Sequence, residues 1–311
     1  MRILTIAAAF VLFPLLAFAA ESFPWAYPTP PPPGIAPSAA DRALVRVPGS
    51  AKAYTPAQIE NAFSAVDWFP AEHPPMPAIV QYGNRPTVRA CAFCHLANGL
   101  GHPESASLAG LPTKYIVQQI SAYKNGTRIG FSASMASIAK GLSDRETRQA
   151  AGWFSRLPRR PWVRVAETKD VAKTVVLNGN LRVPAPGTAT EPLANRIIEL
   201  PLNVARTKNR DPHSGTVAYV PMGSIARGKL LVTTGAGVTI ECAACHGAAL
   251  QGIVDVPSIS GRSPIYIFRQ LNDIRSGRRR GPDVGSMRGV VARMTTNDMI
   301  AIAAYLASRQ P

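Results

Sequence analysis

Residues 3–18 are almost wholly apolar, behind the single positive charge of Arg2 and ahead of the small-x-small triplet Ala17-Phe18-Ala19. A basic head, an apolar run and small residues in that order form a cleavable export signal, so residues 1–20 are predicted to be removed. Pro14 within the run and the lack of a strong basic flank argue against a retained membrane anchor. Proline then dominates residues 23–37, which predicts an extended, partly disordered arm. One short helix is expected before residue 69. Thr55-Pro56-Ala57-Gln58 supplies its N-cap hydroxyl, a proline at the first helical position and a capping-box glutamine.

From there the pattern turns helical and occurs twice. Tyr115 and Tyr266, and likewise Gly126 and Gly277, lie 151 positions apart, and Met135 and Met287 lie 152 apart, so one extra residue sits in the later loop. Each copy closes on a capped helix, begun by Ser143-Asp144-Arg145-Glu146 and by Thr295-Thr296-Asn297-Asp298. Both helices carry small residues before an aromatic, Ala150-Ala151-Gly152-Trp153 and Ile302-Ala303-Ala304-Tyr305, which lets a second helix approach closely. The expected partners are helices near residues 77–82 and 224–231, the latter with Ser224 as N-cap. Between the copies, residues 159–222 lose the helical period. Residues 163–165, 174–177, 197–200 and 217–220 read as short strands among turns such as Asn178-Gly179 and Asp211-Pro212.

Composition adds two constraints. The chain is 46% hydrophobic and 17% charged, which is that of a folded globular protein, while 29 prolines require long connecting stretches. Without Arg2 the 34 basic residues become 33 against 18 acidic ones, a net charge of +15. Such an excess points to an acidic partner or an anionic surface, and export argues against nucleic acid.

The four cysteines fall as Cys91-Ala92-Phe93-Cys94-His95 and Cys242-Ala243-Ala244-Cys245-His246. Two thiols three residues apart on one helical turn face the same way and can both add to the vinyl groups on one edge of a porphyrin. The adjacent His95 or His246 then reaches iron from the proximal side. A zinc ribbon needs its cysteine pairs about 15 to 20 residues apart, far closer than these. A redox dithiol leaves both histidines without a role. Disulfides closed within each motif would be strained. Cys91, Cys94, Cys242 and Cys245 are therefore expected to form thioethers to two haems.

Methionine sulfur opposite histidine raises the potential of haem iron. Only Met135 and Met287 occupy corresponding places in the two copies; Met1, Met76, Met222, Met294 and Met299 read as core fillers. The carbonyls of Pro257 and of Ala106, its counterpart, are placed to accept the Nδ1 protons of His246 and His95. His73, His102 and His213 adjoin prolines and read as loop residues, His102 being close enough to the first motif to lie near a haem edge. Arg275, Arg278, Arg279 and Arg280 form a basic cluster at a helix end, expected either to dock an acidic partner or to pair with haem propionates.

Together these residues resemble the tandem dihaem cytochromes c. The resemblance covers residues 70–158 and 223–311. It implies a mainly α fold of two class I cytochrome c domains in tandem, here with a short-strand insert at 159–222 and a proline-rich arm at 21–69. It implies two haem c groups, with His95 and Met135 as axial ligands of one iron and His246 and Met287 of the other. It implies electron transfer in the periplasm. The positive charge adds the expectation of redox partners with acidic docking surfaces, membrane-bound oxidases or dehydrogenases among them, and no stable oligomer is expected. A dihaem peroxidase is the competing enzyme. It needs one iron without a methionine ligand, whereas both copies here offer one.

Overall fold

The computed structural model describes residues 22–28, 43–130 and 133–311. The expected signal and most of the proline-rich stretch lie outside them. The first half holds α1 (Pro56–Ile59), α2 (Ala78–Gln81), α3 (Cys91–His95), α4 (Thr113–Lys124), α5 (Ala133–Gly141) and α6 (Asp144–Ser155). The capping boxes expected at Thr55 and Ser143 are formed: each hydroxyl accepts from the backbone N–H three residues on, and Gln58 or Glu146 reaches back. The helices α2, α4 and α6 enclose a core that includes Ile79, Val80, Ile116, Trp153 and Phe154. Trp153 anchors α6 by donating Nε1–H to the Pro74 carbonyl at 3.0 Å.

The insert carries β1 (Val163–Glu167), β2 (Asp170–Ala172), β3 (Thr174–Val176), β4 (Arg182–Pro184), β5 (Thr190–Pro192), β6 (Ile198–Pro201), α7 (Val204–Lys208) and β7 (Thr216–Val220). All four expected strands are present, and three more pair with them or with each other. β7 is the centre of a three-stranded sheet, parallel to β1 and antiparallel to β6. The segment Asn178–Asn180 turns β3 back onto β4. Ile197, Ile198, Leu200 and Val220 share one core with the second half of the chain, so the sheet packs onto that half.

The second half contains α8 (Ser224–Thr234), α9 (Ala243–His246), α10 (Pro264–Arg275), α11 (Gly285–Val291) and α12 (Thr296–Ala307). Gly223, in the left-handed region, is the N-cap of α8, and Ser224 is its first helical residue. The expected close crossing is between α8 and α12. Thr295 and Asp298 complete the capping box of α12.

The start of the arm departs from expectation. Phe23, Trp25 and Ala26 are buried, and both aromatic rings pack on Phe268 of α10, with centroids 5.1 and 4.5 Å away. Tyr27 donates to Asp273 at 2.8 Å and Arg269 donates to the Ala26 carbonyl. Three large rings offer enough apolar area to offset the entropy of ordering so short a segment. Residues 22–28 thus form a plug on α10, not an extended arm.

Candidate haem sites

Helix α3 is little more than one turn, and it places Cys91, Cys94 and His95 on one wall of a cavity of about 1180 Å³. Ordinary small-molecule sites run to roughly 300–1,000 Å³, so this space is sized for a large planar group. Leu111, Ile116, Ile138, Leu142 and Phe154 supply apolar wall, and Met135 of α5 lines the same cavity. Met76 packs against the surrounding core and is not part of that wall. The four cysteines are free thiols, unpaired with one another. Burial pushes Cys91 up to about 12 and Cys242 up to about 11, so both remain protonated.

Each histidine is held by one backbone group. Nδ1 of His95 lies 2.8 Å from the Ala106 carbonyl, and Nδ1 of His246 lies 2.8 Å from that of Pro257. A carbonyl only accepts, so Nδ1 carries the proton and the Nε2 lone pair is left for a metal. Burial holds both imidazoles below the usual histidine range, which keeps them neutral as a ligand requires. In the second half, Cys242, Ala243 and Met287 pack against the edge of the core, whereas Met294 and Met299 are buried inside it. Met135 and Met287 are each the third residue of their helix, α5 and α11.

The two sites differ in their cover. Over the first, Val176, Leu177 and Leu181 of the β3–β4 hairpin and Lys208 of α7 line the cavity. Arg210 lies 3.6 Å above the Phe93 ring, donates to the Phe93 carbonyl at 2.8 Å and pairs with Glu60 at 3.1 Å. At the second site Ala244 stands where Phe93 does in the first, and Ala244 and Cys245 are exposed. This cover was not legible in the chain, because nothing local to Arg210 marks a partner more than a hundred residues away.

Arginine also joins the two halves. Arg128 donates to Gln119 at 2.8 Å, to Gln270 at 2.7 Å and to Tyr266 at 3.3 Å. Arg279 reciprocates, donating to Gln270 at 3.0 Å and to Tyr115 at 3.3 Å. The pairs Tyr115/Tyr266, Gln119/Gln270 and Arg128/Arg279 all keep the offset of 151, a regularity that extends beyond the tyrosines and marks a two-fold junction. The expectation that residues 275–280 form a docking cluster needs correction. Arg279 is buried, Arg278 bonds Gly130 and pairs with Asp273, and Arg275 bonds the Met294 carbonyl; Arg280 alone of the four is exposed. Arg275 and Arg279 turn inward, to the Met294 carbonyl and to Gln270 and Tyr115, while Arg278 stays partly in solvent and Arg280 faces it.

Of the remaining histidines, His73 bonds Asp67 at 3.1 Å and His213 bonds Glu72 at 3.0 Å, both structural contacts. His102 lines the first cavity, as its closeness to the motif led one to expect. Among the described residues no three His, Cys, Asp or Glu side chains gather into a further metal-binding cluster.

Comparison with known proteins agrees with this chemistry. The family model described as Cytochrome c matches residues 225–310. The chain is 31% identical over 70 residues to cytochrome c-554(548) of Halomonas halodenitrificans, which spans 22% of this chain and 84% of that protein. It is 26% identical over 231 residues to a protein of Thiomonas intermedia named thiosulfate dehydrogenase electron acceptor, covering 72% of this chain and 80% of the relative. Reduced cytochrome c4 from Pseudomonas stutzeri is a similar solved structure, with TM-score 0.47 and 19% identity over 71% of this chain and 93% of that one. Two haem-attachment motifs, each with a neutral histidine aimed by a carbonyl, place the chain in the family that the sequence resembles: it belongs to the tandem dihaem cytochromes c, binds two haems and transfers electrons.

Proposed function

We propose that both irons are six-coordinate, His95 and Met135 binding one and His246 and Met287 the other, and that the protein is an electron carrier without a substrate site at either metal. The observation that carries this reading is the match between copies: a carbonyl-held histidine and a methionine at the third position of the following helix, twice. Thioether sulfur favours ferrous iron and gives a higher potential than a second imidazole would, which suits a carrier of fairly high potential. A peroxidase needs an iron left open, and neither copy lacks its methionine. The haem-bearing units are residues 70–158 and 223–311, joined through the arginine pair and by the insert at 159–222.

The periplasm is the compartment that fits a haem-attachment motif behind an export signal. Among the described residues no helix is long and apolar enough to cross a membrane. The likeness to the Thiomonas electron acceptor supports an exported dehydrogenase as donor, and the net charge of +16 for the full chain supports an acidic docking surface on it. Acid-acetone extraction tests the first step: two haems per chain should stay with the protein, and Cys242→Ser should leave an altered attachment at one. Extraction of both haems would sink the proposal.

The first haem should also respond to pH. Burial pushes the Glu104 carboxyl, on the wall of the first cavity, up to about 8, with Arg269 only partly offsetting it. Below that pH the group is neutral. As pH rises through about 8 it becomes negative beside the haem, and a nearby anion favours ferric over ferrous iron, so the potential falls. The slope is bounded by about 59 mV per pH unit for one electron coupled to one proton. Potentiometric titration between pH 6 and 10 should show the fall at one haem, and Glu104→Gln should flatten it.

A further inference from the structure

Electron exchange between proteins falls off steeply with distance, so a partner must approach a haem where the chain leaves it open. The first site is not open at its cysteines. Arg210 is clamped over Phe93 by bonds to the Ile59 and Phe93 carbonyls, and the β3–β4 hairpin forms part of the same wall. At the second site Ala244 and Cys245 are exposed, and apolar side chains stand in solvent close by, together with the exposed Glu241. Ile240, two residues before Cys242, is 56% exposed; Ile253 is 49% and Val254 86% exposed. Ile253 comes close to Gly247, whose added Cβ would lie 3.1 Å from it, and so sits beside the iron-binding turn.

Val254 combines two unfavourable features. Its φ is 52°, in the left-handed region that a β-branched residue rarely enters, and its side chain is the most solvent-exposed of the large apolar ones among the described residues. The turn is fixed by reciprocal bonds between Ile253 and Val256, at 3.2 and 2.9 Å, which hold Val254 at its tip. Asparagine or glycine would fit that backbone better, and a polar residue would suit water better. Neither cost returns anything to the folded chain, and strain kept at an exposed apolar tip points to contact with another molecule. The counterpart in the first copy, Pro103, is buried, and its carbonyl accepts from Arg269.

Charge identifies the occupant. Asp255 beside the tip is paired with Lys114 at 2.6 Å, which leaves Glu241 as the acidic side chain next to the attachment turn, while the chain as a whole carries +16. Long-range attraction then favours an acidic protein and short-range contact favours an apolar one. We propose that Ile240, Ala244, Ile253 and Val254 form a single port on the second haem, where an acidic redox protein with an apolar collar around its own cofactor docks. Electrons for both haems pass through this port, the first haem being reached from the second. The proposal rests on the electron-carrier reading.

The test is stopped-flow reduction of the two-haem protein by a reduced, acidic small blue-copper protein whose copper edge is ringed by apolar side chains. Val254→Asn should slow reduction of both haems at least tenfold, and Ile253→Asn should act in the same direction. Because asparagine relieves the backbone, the thermal midpoint of Val254→Asn should stay or rise, which separates lost docking from lost folding. Reduction by ascorbate, which needs no docking, should change less than twofold. Val175→Asn, on the hairpin over the first site but off the cavity wall, should leave the blue-copper rate unchanged. An unchanged rate in both port variants overturns the proposal, as does slowing of one haem alone, which would give the first haem a port of its own. Loss of binding to anionic vesicles, or of a dimer on gel filtration, with the transfer rate intact would assign the patch to a membrane or a second copy and overturn it too. If ascorbate fails to reduce the wild-type haems reversibly, the carrier reading itself fails.

Discussion

Replacing Met287 with histidine lowers the potential of one haem by on the order of 0.2 V and leaves the other nearly in place. The size follows from the range of about 0.8 V that axial ligands span, of which exchanging thioether for imidazole is a substantial part. The direction follows from the ligand: imidazole donates more strongly and steadies ferric iron, while thioether favours ferrous iron. Met287 stands third in α11, half exposed at the edge of the core beside Cys242, where a histidine side chain of similar reach has room. Met135→His should do the same to the other haem. Met294→His supplies the control, because Met294 is 3% exposed inside the core and its carbonyl is held by Arg275. An imidazole there loses packing and lowers stability without moving either potential. A spectroscopic redox titration reads all three. A shift from Met294→His and silence from Met287→His would place the iron ligand on the wrong helix turn.

What could be read in the chain was what is local or repeated. Cys-x-x-Cys-His declares its chemistry within five residues, and the capping boxes at Thr55, Ser143 and Thr295 declare theirs within four. The offset of 151 brought out Tyr115 and Tyr266, and their Gln and Arg companions lay in the same register. Of the four three-residue strands only β3 was expected; β2, β4 and β5 were missed, since so short a run shows no alternation that loop residues do not also show.

What was misjudged was direction and distant contact. Residues 23–27 sit among prolines and so suggested an arm, yet Tyr27 bonds Asp273 across 246 positions. The arginines at 275–280 announced charge but not which way it faces. Arg275 and Arg279 turn inward, to the Met294 carbonyl and to Gln270 and Tyr115, whereas the same sequence at a free surface would point into water. The insert read as short strands with no assigned partner, and those strands complete the core of the second half while its hairpin and Arg210 cover the first site.

Gly228→Val should cost the second half its fold and one haem with it. At Gly228 the backbones of α8 and α12 touch: an added Cβ would overlap the Ala301 carbonyl oxygen, lying 2.6 Å from its carbon and 2.7 Å from the Tyr305 Cβ. Backbone cannot swing aside as a long side chain can, so the helices must separate and open the core around Ile302 and Leu231, both 1% exposed. Overpacking commonly costs about 1–3 kcal/mol, and a clash with backbone belongs at the top of that range or above. At about 2–4 °C per kcal/mol for a chain of this size, the midpoint of the second half should fall by roughly 6–12 °C. The damage reaches the haem because α8 leads directly to the attachment turn, where the Cys242 N–H bonds the Val232 carbonyl at 3.0 Å. A displaced α8 carries Cys242 and Cys245 with it, and the purified variant should hold close to one haem per chain. Gly289→Ala provides the contrast: its added Cβ meets nothing within 4 Å and its φ is not positive, so in the middle of α11 it should gain about 0.5–1 kcal/mol. Haem content by pyridine haemochrome and melting by circular dichroism decide it. Should Gly228→Val keep two haems and its midpoint, the α8–α12 crossing does not hold the second haem site together.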